Sequence, residues 1–252
     1  MTPVLMDVLS ADVGISCIHA FTTLRSQGSS DAPFYSLNFG DHVGDDPLAV
    51  TSNREALRRA LPGQAATRWL RQVHGTDVAA AHAISEGEVP VADAVWTDQP
   101  GLALAVMTAD CLPIVLAGVR GDWVAVVHAG WRGLAAGIVE AAFEAVPGNP
   151  TETRAWFGPA IGACCFEVGS EVRQIFLKRF GVVAAASFKS TKNPDKYLAD
   201  LAGLAACRLR ALDIAAISDS GHCTVCESDR FFSHRRDGTT GRMATVAMIL
   251  PK

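Results

Sequence analysis

The chain has no stretch of ~20 apolar residues, the length a helix needs to span a bilayer. Its most apolar segment, 101–118, is interrupted by Asp110 and Pro113. Basic residues are not in excess: 22 Lys and Arg stand against 26 Asp and Glu, a net charge of −4. Proteins that bind nucleic acids or anionic membrane surfaces usually carry the opposite balance, so neither partner is expected. The first residues include Asp7 and Asp12 and no basic stretch ahead of an apolar one, so no secretory signal is read there. Both the dinucleotide-binding glycine fingerprint and the P-loop are missing, which excludes Rossmann and P-loop readings. Internal repeats, heptads and low-complexity tracts are missing too.

What is present is an ordinary globular composition, 49% hydrophobic and 19% charged over 252 residues. That is too apolar and too weakly charged for disorder. A chain this long buries roughly 70–75% of its unfolded surface and needs no crosslink or metal to hold together. One domain spanning 1–252 is expected, with a monomer as the default. The seven cysteines (Cys17, Cys111, Cys164, Cys165, Cys207, Cys223 and Cys226) are an odd number. They fit free thiols in a reducing, cytoplasmic setting better than a disulfide framework.

Asp46 followed by Pro47 marks a helix start, and the helix is expected to run to about Leu61, before Pro62–Gly63. Strands are expected at 67–73 and 76–82, hinged at His74–Gly75, and at 102–108, 112–117, 123–128 and 243–250. Helices are expected at about 132–146, 170–180 and 196–212, the second closed by Gly181. Strands arrive in clusters rather than alternating with helices, which points to an α+β fold with mixed, largely antiparallel sheets flanked by helices.

The short turn between 112–117 and 123–128 implies an antiparallel hairpin. Cys111 and His128 should then lie within about one residue of facing each other at its open end, on one face of the sheet. Either residue alone is more often a packing or hydrogen-bonding group; their adjacency, beside Asp110 and the glycine-flanked Arg132, is what singles them out. His74 occupies a similar strand-end position before Gly75. Histidine, cysteine and histidine are three donors of the kind a catalytic zinc takes while keeping a fourth position open. Gly130 and Gly133 flank Arg132 where strand gives way to helix, so backbone N–H groups and a guanidinium favour a bound anion there. The C-terminal run with Arg230, Arg235, Arg236 and Arg242 beside Phe231 and Phe232 is either a solvated face or one wall of a substrate pocket. Cys223-Thr224-Val225-Cys226 has C-x-x-C spacing but no second such pair, and Cys164–Cys165 are adjacent. Incidental or packing roles are expected for all four.

Five segments together resemble a known family: RQVHGTDV at 71–78, TADCLPIVLA at 108–117, VVHAGWRG at 126–133, GPAIGACCFEVG at 158–169 and FFSHRRDGTTGR at 231–242. They are similar, in matching order over about 15–250, to the signature blocks of the YfiH family. Its members are variously called laccase-domain proteins, polyphenol oxidases, purine nucleoside phosphorylases and peptidoglycan editing factors. The resemblance implies an α+β domain with zinc held by His74, Cys111 and His128, which would be the catalytic centre. It further implies substrate contacts from Asn38, Arg132, Glu167 and Arg235. Family members often carry tyrosine where Phe166 and His234 stand here.

The activity implied is phosphorolysis of purine nucleosides and deamination of adenosine, with a nucleoside and phosphate as small-molecule partners. Zinc lowers the pKa of bound water to about 7, which suits attack on a purine. The alternative is hydrolysis of a muramyl–amino acid link in a peptidoglycan precursor, by zinc or by Cys111 as nucleophile with His128 as base. Copper is the less favoured metal, although it binds such donors tightly. No two of the seven histidines are separated by a single residue, so the His-x-His pairs of a multicopper centre are missing. A non-enzymatic binding module with an inert Cys111 is the remaining class.

Overall fold

The computed structural model describes residues 6–251, residues 86 and 215 apart. Strands β1 (Val8–Ser10) and β2 (Ile18–Thr23) lead to helix α1 (Pro47–Ala60). Short strands β3 (Thr67–Arg68) and β4 (Val78–Ala80) precede β5 (Ala94–Thr97), β6 (Ala103–Thr108), β7 (Leu112–Gly118) and β8 (Val124–Ala129). Then come α2 (Trp131–Ala136), α3 (Ile138–Ala145), β9 (Thr153–Phe157), β10 (Glu167–Gly169), α4 (Ser170–Phe180), β11 (Phe188–Ser190) and β12 (Lys196–Ala199). The chain finishes with α5 (Leu201–Ala211), β13 (Ala216–Asp219), α6 (His234–Asp237) and β14 (Met243–Ile249).

Two large sheets pack face to face. One runs β13-β9-β7-β8-β5-β4 and the other β1-β2-β14-β6-β3, while β10-β12-β11 form a small third sheet. Val115, Val126 and Trp156 of the first sheet meet Val106, Ala247 and Ile249 of the second in one apolar layer. On the far side of the first sheet, Leu116, Ala125 and Val127 pack with Val139 of α3, Phe176 of α4 and Leu204 of α5. On the far side of the second, Ala105 and Val246 pack with Leu57 of α1. Both faces of the central strands are therefore covered, which is why they read as continuous apolar runs rather than alternating ones. The mixed α+β class follows directly.

Asp46 caps α1 through its side chain, which accepts from the Leu48 N–H, as the sequence indicates. Three expectations need correction. The helix expected at 132–146 is two helices, because Gly137 between them sits at φ 110, outside the α region. Lys196–Ala199, expected as the start of a helix, forms β12, and the helix begins only after Asp200 caps it through the Gly203 N–H. The strands expected over 67–73 and 76–82 shrink to β3 and β4, and the segment between them is a loop shaped by a buried carboxylate.

Candidate metal centre

The open end of the β7–β8 hairpin opens between the two large sheets. Its register pairs Pro113 with His128 and Leu112 with Ala129. Cys111 is thus two positions past the residue opposite His128, not within one as the hairpin geometry predicts. In a pleated pair that offset keeps both side chains on one face as diagonal neighbours, close enough for an imidazole to reach across. Gly130 leaves the room they need. A Cβ there would sit 2.8 Å from His74 Cδ2 and 3.0 Å from Cys111 Sγ.

His74 approaches from the loop between β3 and β4. Its backbone has φ 60, an uncommon conformation for a side-chain-bearing residue. Asp93, just before β5, accounts for that bend. Its fully buried carboxylate accepts the N–H groups of Val73 (3.2 Å), His74 (2.9 Å) and Gly75 (2.7 Å), winding the loop around itself. The same carboxylate accepts from His128 Nδ1 at 2.8 Å. One side chain therefore sets the position of one histidine and the orientation of the other, leaving His128 Nε2 to face Cys111. Gln72 braces the loop from behind, donating to the Met107 carbonyl and accepting the Met107 N–H.

The three donor atoms lie within 4.8 Å of one another, with His74 Nε2 and Cys111 Sγ 3.7 Å apart. Tetrahedral zinc with bonds of roughly 2.0–2.3 Å needs donors about 3.3–3.8 Å apart, so the set fits one ion. A carboxylate bonded to the outer nitrogen of a ligating histidine is also the usual support for such a site. Burial pushes the Cys111 thiol up, but the charge and hydrogen bond of His128, with help from His74, outweigh it and hold the thiol down to about 6. Burial also disfavours a charged His128, yet Cys111 and Asp93 together raise it to about 9. Asp93 would rise on burial as well; the His128 and backbone N–H bonds bring it below the usual carboxylate range. The metal-free site is a thiolate–imidazolium pair with a carboxylate behind it.

A cavity of about 300 Å³ opens over the three donors, lined also by His42, Met107, Arg132, His234 and Arg242. Arg132 is exposed on its rim and lies 4.4 Å over the Trp131 ring. The other residues expected to bind substrate lie behind or beside this cavity. Asn38 is completely buried, donating to the Gly40 carbonyl and Asp45 and accepting the N–H groups of Gly40 and Arg242. It positions the backbone of Arg242, one of the two arginines that line the cavity. Glu167 is exposed at the start of β10. Arg235 points the same way, its guanidinium on the Glu167 carbonyl at 3.1 Å and over Phe166 at 5.4 Å. The backbone N–H of Arg235, however, holds Asp110 beside Cys111.

Asp93 and His42 carry no signal in the sequence that sets them apart, and Gln72, although inside the segment 71–78, is given no role by it. One other departure concerns the remaining thiols. Cys164, Cys165, Cys223 and Cys226, expected to be packing or incidental residues, gather at one place, and Cys164 and Cys226 are exposed.

Comparisons with known proteins bear on the family and the fold. The family model "Multi-copper polyphenol oxidoreductase laccase" matches residues 19–250. A protein of Pseudomonas aeruginosa named purine nucleoside phosphorylase is 44% identical, over 92% of this chain and 93% of its own length. The Escherichia coli protein named purine nucleoside phosphorylase YfiH is 43% identical, over 92% and 94%. A crystal structure from Neisseria meningitidis superposes with a TM-score of 0.92 at 40% identity, covering 97% of this chain and 99% of that one. YlmD from Geobacillus stearothermophilus does so at 0.84 and 33% identity, covering 94% and 93%. The sequence blocks, the two-sheet fold and these likenesses converge, and the chain belongs to the YfiH family.

Proposed function

We propose that this protein is a zinc-dependent purine nucleoside enzyme, acting by phosphorolysis and by adenosine deamination. The observation that carries the proposal is the convergence of His74, Cys111 and His128 beneath a cavity with arginines on its wall and rim. The names of the curated relatives support the substrate class. Zinc in this site would supply a Lewis acid that polarises a substrate oxygen or activates water. Asp93 keeps the His128 ring aligned, and Arg132 and Arg242 supply positive charge for phosphate. Met107 gives the cavity an apolar surface against which a purine ring can lie.

The test is turnover of adenosine and inosine, with and without inorganic phosphate, and of a muramyl-peptide precursor, by zinc-loaded and zinc-stripped protein. Zinc-dependent release of a free base or of ammonia from the nucleosides is the expected result. Cleavage of the muramyl peptide alone would replace this reading.

A second reading rests on the Cys111–His128–Asp93 arrangement, which is also that of a thiol nucleophile, a base and its orienting acid. Activity that survives exhaustive chelation would select it.

Metal affinity should depend on pH in a defined way. Between about 6 and about 9 the metal-free site holds a proton on His128 but none on Cys111. Below about 6 Cys111 is protonated as well. Binding should therefore expel about one proton from this pair near neutral pH and about two in acid, so affinity falls more steeply on the acid side. Calorimetric titration with zinc in buffers of different ionisation enthalpy counts those protons. A proton release that stays constant from about pH 5 to 8 would contradict the thiolate–imidazolium assignment.

A further inference from the structure

From the gathering of Cys164, Cys165, Cys223 and Cys226 we infer a second metal site, a structural tetrathiolate zinc remote in sequence from the first. Cys164–Cys165 lie in the loop between β9 and β10, and Cys223 and Cys226 in the loop between β13 and α6. Cys164 Sγ is 3.5 Å from Cys165 Sγ, 3.8 Å from Cys223 Sγ and 3.6 Å from Cys226 Sγ, while Cys165 and Cys226 are 3.5 Å apart. All four sulfurs are mutually within 4.8 Å. A zinc with four sulfur ligands at about 2.3 Å is a tetrahedron with edges of about 3.8 Å. The four distances of 3.5–3.8 Å lie close to that edge, and the remaining two, Cys165–Cys223 and Cys223–Cys226, are within 4.8 Å, so the four sulfurs surround a space suited to one ion.

Packing does not explain the cluster. A thiol used as a small hydrophobe belongs in the interior, whereas Cys164 and Cys226 are exposed. One disulfide would use two sulfurs and leave two others against them without a role. The surroundings suit thiolates bound to a cation. The Gly162 N–H donates to Cys223 Sγ at 3.2 Å. Arg235 reaches the carbonyl of Cys165, and Arg236 those of Thr224 and Val225. Two guanidinium groups thus stand beside a centre that, as one zinc with four thiolates, carries two negative charges.

The consequence reaches the first site. Thr224, between the two C-x-x-C cysteines, donates to Asp110 Oδ1 at 2.6 Å, and the Asp110 carbonyl accepts the Ile161 N–H. Asp110 has φ 90 and immediately precedes Cys111. Locking the two cysteine loops together therefore fixes the backbone that presents Cys111.

The experiment uses the full-length protein, purified with zinc and without strong chelators. Wild type should bind two zinc ions per chain. Cys226→Ser should lose one and melt several degrees lower, and Cys111→Ser should keep one. In Cys111→Ser protein loaded with cobalt(II), the remaining ion should show the intense ligand-field bands of tetrahedral sulfur coordination, and X-ray absorption should count four sulfurs. Because this reading is taken with the first site disabled, it stands or falls separately from the proposed function. A zinc-free Cys111→Ser protein, a mass showing Cys164, Cys165, Cys223 or Cys226 paired as disulfides, or iron in place of zinc would each overturn the inference.

Discussion

Cys111→Ser is expected to give a folded protein that has lost the ion at His74 and His128 and has no measurable turnover. A serine hydroxyl stays protonated at neutral pH, so the substitution removes the anionic donor and leaves only the two imidazoles. If roughly 10–16 kcal/mol of structural zinc binding is shared among four ligands, one ligand is worth about 2.5–4 kcal/mol, or about two to three decades in affinity. The fold should survive, because Cys111 is only partly buried, lies just outside β7 and is not one of the residues that make up the apolar layer between the sheets. Metal analysis and circular dichroism check the two halves of this expectation. A serine variant that keeps its metal at this site but loses activity would instead make Cys111 the nucleophile.

Asp93→Asn should be nearly as damaging without touching a ligand. The carboxylate accepts four hydrogen bonds, from three backbone N–H groups and His128 Nδ1. An amide of the same shape presents an NH2 group where an acceptor is needed, so at least one buried N–H is left facing another donor. That costs about 1–3 kcal/mol of stability. The His128 ring loses the partner that holds its proton on Nδ1, and metal affinity and kcat should fall by about 10–100-fold, the usual effect of removing such a support. The loss of stability has a pH signature. Asp93 titrates below its ordinary value in the fold, so its contribution is fully present above the ordinary carboxylate range and is lost as acid reaches the lowered value. Acid unfolding of wild type should be sharper than that of Asp93→Asn. Equal acid transitions and unchanged kcat would show that Asp93 merely fills space.

These two residues mark what was legible in the sequence. Cys111 and His128 flank a hairpin whose apolar strands and short turn are local signals, so their approach could be read with an error of about two positions in register. The helix from Pro47 was legible for the same reason, since Asp46 and Pro47 act within one turn. Lys196–Ala199 misled because a short segment that pairs with β10 and β11 takes its structure from those neighbours and not from its own pattern. Asp93 could not be found at all: its role comes from bonds to residues 18 to 35 positions away. The cysteine cluster was hidden likewise, because a lone C-x-x-C and an adjacent pair are each poor chelators. Only the fold, bringing together loops about 60 residues apart, makes four donors of them.

The place of β14 has a consequence for how the molecule is made. It lies in the middle of its sheet, antiparallel to β2 on one side and β6 on the other. A ribosome therefore delivers the central strand of that sheet after both of its neighbours. Until Met243–Ile249 emerges, β2 and β6 have open edges toward each other, and the apolar layer shared by the two sheets lacks Ala247 and Ile249. The sandwich cannot zip from one end during synthesis. It closes in a late event over a sequence separation of more than 200 residues, the kind of non-local contact that folds slowly.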